Sequence, residues 1–453
     1  MFCQDKNAYE TFKDDEKMQR FCEGYKAFLS SAKTEREATK LFIEMAKEMG
    51  FKPFTKNSEL RNGDKIFVEN RGKSVLFAII GKRPIQEGVN LIAAHIDSPR
   101  LDLKQNPLYE EIELALLKTH YYGGIKKYQW TAIPLALHGV VVTDNGIVNV
   151  RIGESEGDPV FTVPDLLPHL ARKQMDKKMS TAIEGEELTI LCGGVPMDVK
   201  KDKVKANVLD ILKSKYGIIE EDFISAELEI VPAFKAQDIG FDRSLLGGYG
   251  QDDRVCAYTA FCGLTDVEIP EKTAVLLLAD KEEVGSMGCT GMKSHFFEDT
   301  MAMLANALTV GYSDLFLREL LGNSDCLSAD VGAAMDPNHK SVQDSKNAPK
   351  LNHGVLLTKY TGSRGKSSSS DASAEFVGQI RKLFNENEIA WQIGELGKVD
   401  EGGGGTVAQY IANLNVNVLD VGVPLLSMHS PFEVAAKIDI YMAYKAYGAF
   451  YRG

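Results

Sequence analysis

The sequence predicts an α/β protein in which a mixed central sheet is flanked by helices and interrupted by an inserted, mainly β domain. Three observations carry that expectation. Short, nearly continuous apolar runs recur along the chain; helical patterns lie between several of them; and over residues 104–238 the texture turns to alternating and turn-rich. Unbroken apolar runs mark strands covered on both faces, and their alternation with helices marks a sheet carrying helical layers. The expected division is therefore a discontinuous principal domain, 1–103 and 239–453, split by an insert over 104–238.

Taken in order, apolar positions recur at helical spacing over residues 9–50, and Gly50 stands where a C-cap belongs, so one or two amphipathic helices open the chain. V-L-F-A-I-I (75–80) and N-L-I-A-A-H (90–95) follow as buried strands. Inside the insert, H-G-V-V-V-T-D-N-G-I-V-N-V-R-I puts Asp144-Asn145-Gly146 at a hairpin turn. A helical stretch over 198–216 is stopped by Gly217, and A-E-L-E-I-V (226–231) is a further strand. The principal domain resumes with apolar runs at 273–280, 326–330 and 416–423. S-S-S-S (367–370) and G-G-G-G (402–405) read as loops, and no internal repeat is apparent.

At 453 residues, 44% hydrophobic and 26% charged, the chain has the composition of a globular protein long enough for two domains. A net charge of -12 argues against a nucleic-acid partner, because phosphate binding needs a basic face. The seven cysteines, at 3, 22, 192, 256, 262, 289 and 326, form no C-x-x-C pair and read as buried thiols in a reducing compartment. The opening M-F-C-Q-D-K-N-A-Y-E lacks a basic stretch leading into an apolar core, and no apolar run reaches membrane-spanning length. The expected location is the cytoplasm, without a membrane partner.

Acidic residues and histidines sit just past the ends of the apolar runs, where open α/β sheets build their sites. His95-Ile96-Asp97 follows one run. In an extended segment His95 and Asp97 share a side, so the carboxylate can take one imidazole N–H and leave the other nitrogen for a metal. Alone, H-x-D more often marks a satisfied structural histidine. Asp280-Lys281-Glu282-Glu283-Val284-Gly285 ends another run, with adjacent carboxylates able to divide metal binding and base catalysis; a solvated acidic loop is the plainer alternative. Gly247-Gly248-Tyr249-Gly250-Gln251-Asp252-Asp253-Arg254 leads into a helix, which Asp252 or Asp253 would equally serve as N-cap. Asp330 in S-A-D-V-G and His429 in S-M-H-S-P complete a set of two imidazoles and three carboxylates with a spare carboxylate alongside. Nitrogen and oxygen donors without thiolate suit zinc, cobalt or manganese at a hydrolytic site, and two ions would need a shared carboxylate. H-E-x-x-H and G-x-S-x-G are both absent, which argues against a single-zinc helix protease and a serine hydrolase.

The chain resembles the bacterial branch of the aspartyl aminopeptidase family of metallopeptidases over nearly its whole length. The motifs that carry this are A-A-H-I-D-S-P-R (93–100), G-Y-G-Q-D-D-R (248–254), D-K-E-E-V-G-S (280–286), S-A-D-V (328–331), G-G-T (404–406) and S-M-H-S (427–430). The resemblance implies a phosphorylase/hydrolase-like zinc exopeptidase fold and two zinc ions per subunit, with cobalt or manganese as substitutes. His95, Asp252, Glu283, Asp330 and His429 would be the ligands, with Asp252 bridging. Glu282 would take a proton from the attacking water and return it to the leaving amine, with Asp97 orienting His95. It also implies an insert that makes dimers, which assemble into tetrahedral dodecamers, and a histidine, here His169, that reaches a neighbouring subunit's site. On sequence alone His169 reads better as a packing residue on a helix face.

Peptides are the expected substrate, and an acidic N-terminal residue is the family's namesake preference. That preference needs a cation facing the substrate carboxylate. Lys359, Arg364 and Lys366 are the candidates, in a loop that departs from the family's acid-selective eukaryotic version. Three rivals stand beside the aminopeptidase: a carboxypeptidase or deacylase on the same scaffold, a non-enzymatic self-assembling shell, and a phosphate site at 402–405, the weakest because no G-K-[ST] follows.

Overall fold

The computed structural model describes residues 6–12 and 15–453; Cys3, with the first five of the ten opening residues read for a signal, lies outside them. The chain divides into two compact units. One comprises the chain up to Asp97 with Ala236–Met428 and Phe432–Gly453; the other comprises Ser98–Lys235 with His429–Pro431.

The first unit is built on a nine-stranded sheet in the order Lys52–Pro53, Lys65–Asn70, Ser74–Ile79, Thr273–Ala279, Val89–His95, Asp325–Ser328, Asn417–Gly422, Val355–Thr358, Trp391–Ile393. It is mixed: the four strands from Thr273–Ala279 to Asn417–Gly422 run parallel, and antiparallel pairs flank them. Every residue of Ser74–Ile79, Val89–His95 and Thr273–Ala279 is buried, as the unbroken apolar runs require. Alternate side chains feed two cores. Phe77, Ile92 and Leu276 face one, beneath Gln251–Thr265 and Lys437–Arg452; Leu76, Leu91 and Leu277 face the other, with Phe297, Leu304 and Leu320 from the helices Phe296–Leu308 and Asp314–Gly322. The opening helices are Asp15–Ser31 and Glu35–Glu48. The second starts at a capping box in which Thr34 accepts from the Glu37 N–H and Glu37 accepts from the Thr34 N–H. A smaller five-stranded sheet joins Gln237–Ile239, Leu245–Gly248, Glu433–Ala436, Pro424–Leu426 and Gly332–Ala333.

The second unit is built on a six-stranded antiparallel sheet, ordered Gly146–Ile152, Leu135–Thr143, Ala226–Pro232, Arg100–Glu111, Leu114–Tyr122, Ile190–Gly193. Thr143 pairs with Gly146, so Asp144 and Asn145 make the two-residue hairpin loop that the D-N-G signal predicts. The helix expected over 198–216 begins only at Lys203. Asp202 has φ 48 and caps nothing; instead Glu110, from a distant strand, accepts the N–H groups of Val204 and Lys205 at 2.8 and 3.0 Å. A start fixed by a remote carboxylate leaves no local signal.

Two further expectations change. Cys289 is exposed and Cys192 and Cys262 are half-buried, so only Cys22, Cys256 and Cys326 of the described thiols are buried. The glycine run at 402–405 contributes a short strand, Gly403–Gly404, paired with Gly362–Ser363. Thr406, next along, donates at 2.7 Å to Asp420 Oδ1 inside the sheet. Burial pushes the Asp420 carboxyl up to about 6. A carboxyl raised on folding contributes its full stability below its unfolded value, about 3.9, and loses it as pH climbs through the folded one. Asp420→Asn is therefore expected to flatten the decline in melting temperature between roughly pH 4 and 7; a slope equal to the parent's would count against it. Among the described residues no helix is long and apolar enough to cross a membrane.

Candidate metal centre

Parallel strands end together. Register sets His95 beside Ala279 and Ala93 beside Ser328, so His95, the 280–283 segment and Asp330 emerge at neighbouring carboxyl ends of one sheet. Asp252 arrives from another direction, through Gly250 at φ 76, and is itself extended at φ -82 and ψ 105. Asp253 is also non-helical, at φ -115 and ψ 27, so the regular helix starts only after the two aspartates. Asp252 is held by its own N–H, which donates to Glu433 Oε2 at 3.1 Å.

The His95 ring is buried. Its Nδ1 lies 3.1 Å from the Asp97 carbonyl and 3.4 Å from Asp97 Oδ1, so the proton belongs on Nδ1 and Nε2 is left for a cation. Nε2 is 3.2 Å from Asp252 Oδ1 and 3.8 Å from Asp330 Oδ1. The His95 N–H donates to Asp253 Oδ2 at 3.2 Å. Asp97 does more than H-x-D spacing suggests: its two carboxylate oxygens accept the N–H groups of Glu282 and Glu283 at 3.1 and 3.2 Å. One buried carboxylate thus fixes both the imidazole and the turn carrying the paired glutamates. That turn is tight, with Lys281 at φ 68, a 3-10 turn over Glu282–Val284 and Gly285 at φ 87. Both glutamates are half-buried rather than solvated.

The ligand atoms of His95, Asp252 and Asp330 lie within 4.8 Å of one another, as do those of His95, Glu282 and Glu283. So much negative charge in so little space is costly without a counter-cation. Burial, then the charge of Asp253, drives the Asp330 carboxyl far above the usual range; burial, then Asp252, does the same to Asp253. Burial opposes charge on the His95 ring, yet the bonds to Asp252 and Asp97 hold it well above its ordinary value. Crowded carboxylates and an imidazole, without thiolate, fit zinc. Gly422, on the adjacent strand, lies so near that a Cβ would overlap the Asp330 carbonyl, which explains a glycine within V-G-V.

Five candidates remain: His429, His169, Lys359, Arg364 and Lys366. His429, at φ 64, belongs with the second unit, where its Nδ1 is 2.8 Å from the Gly124 carbonyl. His169 does not sit on a helix face; it is exposed on a turn beside exposed Leu166, Leu167 and Leu170. Lys359 is exposed at a cavity of about 310 Å³ that Tyr360, Arg381 and Glu395 also line. Arg364 is exposed at φ 51, and Lys366 is engaged by Asp371 at 3.0 Å and by the Tyr360 ring. Sequence reasoning missed Glu433 and the separate task of Asp253. The second was signalled by the paired acids; for the first there was no signal.

A family model described as aminopeptidase I zinc metalloprotease (M18) matches residues 28–451. A probable M18 family aminopeptidase 1 from Clostridium acetobutylicum is 50% identical, covering 98% of this chain and 97% of that protein. A crystal structure of an M18-family aminopeptidase from Thermotoga maritima superposes with a TM-score of 0.96 at 46% identity, over 99% of each chain. A more distant fold neighbour, the mApe1 dodecamer of S. cerevisiae, has a TM-score of 0.77 at 21% identity, over 97% of each chain.

Proposed function

The chain belongs to the aminopeptidase I zinc metalloprotease (M18) family and is a zinc aminopeptidase, a hydrolase, and we propose that it works with two zinc ions per subunit held by His95, Asp252, Glu283, Asp330 and His429. Cobalt or manganese would substitute. The observation that carries this is the meeting of His95, Asp252, Asp330 and the paired glutamates at the carboxyl ends of adjacent parallel strands. His429 joins the set on its S-M-H-S motif, with Nε2 as its donor because Nδ1 faces Gly124. Asp252 would be the carboxylate shared by the two ions.

Zinc bound there supplies Lewis acidity, which lowers the pKa of a coordinated water towards about 7. Glu282 takes the proton from the attacking water on a carboxylate oxygen and delivers it to the nitrogen of the departing amine. Asp97 keeps His95 in the Nδ1–H tautomer and, through the Glu282 N–H, keeps that carboxylate aimed. The substrate is a peptide with a free N-terminus, and an acidic first residue is the proposed preference, with Lys359 and Arg364 as candidates to meet its carboxylate.

The assembly proposed is a homo-oligomer, a tetrahedral dodecamer of dimers made through the 104–238 insert, with His169 reaching a neighbouring site. Its support is the exposed Leu166, Leu167 and Leu170 around His169 and the dodecamer formed by the yeast fold neighbour. A phosphorylase/hydrolase-like exopeptidase fold, with residues 1–103 and 239–453 as the catalytic domain, belongs to the same proposal. So does a cytoplasmic setting, where thiols such as the six described here stay free.

A panel of aminoacyl chromogenic substrates, free and N-acetylated, tests the reaction. Hydrolysis of the free series alone is expected, fastest for Asp and Glu. Equal cleavage of acetylated compounds would exclude the exopeptidase mechanism, and equal rates across side chains would exclude the acidic preference.

A further inference from the structure

Arg254 is fully buried, and a guanidinium out of water is expensive unless its donors are used. Two of its nitrogens are. Nε donates to the Ile96 carbonyl at 3.2 Å and Nη2 to the Lys33 carbonyl at 2.9 Å, while the Tyr249 ring lies 5.6 Å from Cζ. Nη1 has no hydrogen-bond partner among the described residues.

What the guanidinium holds matters more than how well it is held. Arg254 stands two residues after Asp252, at the start of the same helix. Ile96 lies between His95 and Asp97. The bond to the Ile96 carbonyl therefore links two segments far apart in sequence, one carrying Asp252 and the other carrying His95 and its orienting carboxylate. The bond to Lys33 fixes the same guanidinium to the turn before the Glu35–Glu48 helix. The carrier segments are also linked by the His95 N–H to Asp253, the residue next to Arg254, and by His95 Nε2 against Asp252 Oδ1. We infer that Arg254 is a positioning residue for the metal centre: through the Ile96 carbonyl it sets the spacing between Asp252 and the His95–Ile96–Asp97 segment, and hence the geometry offered to the cation. This rests on the ligand set proposed above.

Lysine keeps the charge but reaches only one carbonyl, whereas methionine keeps much of the volume and neither the charge nor a donor. In the full chain, Arg254→Lys and Arg254→Met are compared with the parent for zinc affinity by chelator competition, for the visible spectrum of the cobalt-loaded protein, for kcat and KM, and for melting temperature. Arg254→Lys is expected to fold, to lose about 10–100-fold in zinc affinity and in kcat with KM little changed, and to shift the cobalt bands. Methionine should fall further in the same direction. If neither variant folds, Tyr249→Leu, which loosens the guanidinium without removing it, should give a smaller cobalt shift of the same sign. Parent-like zinc affinity, cobalt spectrum and kcat in a folded Arg254→Lys, or in Tyr249→Leu, would overturn the inference. So would variants that melt early while their folded fraction behaves as the parent, since that is packing alone. His95→Ala and Asp252→Asn run alongside: zinc retained in both means the ligand set is wrong, whereas zinc lost in both with Arg254→Lys unaffected means that only the role of Arg254 is wrong.

Discussion

Glu282→Gln should leave bound zinc and melting temperature where they are and lower kcat by about 10²–10⁴-fold, the usual worth of a placed general base. The reasoning is geometric. Glu282 is anchored by its main chain, whose N–H donates to Asp97 Oδ1, so an isosteric amide keeps both turn and anchor. Its side chain reaches the same small space as the ligand atoms of His95 and Glu283. An amide there can still hydrogen-bond to water, but it cannot accept a proton. Zinc content by atomic absorption and peptide turnover, measured on one preparation, separate the outcomes. Turnover within a few-fold of the parent, at full zinc occupancy, would remove Glu282 as the base.

The parts of the site that sequence made legible are those where chemistry follows local periodicity. His95 and Asp97 could be paired because alternation in an extended segment is geometric, and the strand before them could be seen because it is wholly apolar. Glu282 and Glu283 stood out by following such a strand. What stayed hidden depends on tertiary neighbours. Asp252 and Asp253 look like caps in one dimension; in three, both are non-helical and the Asp252 N–H is taken by Glu433. The helix at Lys203–Tyr216 takes its N-terminal partner from Glu110, and Glu433 touches Asp252 from a strand nearly two hundred residues away, so neither could be read locally. His169 was misplaced for a different reason. Pro164 and Pro168 closely precede it, and prolines at that spacing argue against a helix.

Stripping the metal should abolish hydrolysis and also destabilise the fold, and the second effect distinguishes a metal centre from an ordinary acidic cluster. Without a cation, Asp252, Asp330, Glu282 and Glu283 crowd their carboxyl groups together beside His95, and burial denies that charge solvation. A ligand that binds only the folded chain stabilises it by about 4 kcal/mol at a thousandfold excess over Kd. Chelated protein should accordingly melt earlier and regain both melting temperature and activity on return of zinc. Asp330→Asn sharpens the contrast. Removing one of the crowded charges should make the metal-free protein melt higher than the metal-free parent, while zinc affinity and turnover both collapse, so the gap between loaded and stripped forms narrows from both sides. If chelated parent melts with the loaded form, or if Asp330→Asn weakens the stripped protein as it weakens the loaded one, Asp330 is holding the fold by hydrogen bonding and the charge-crowding account of this centre is wrong.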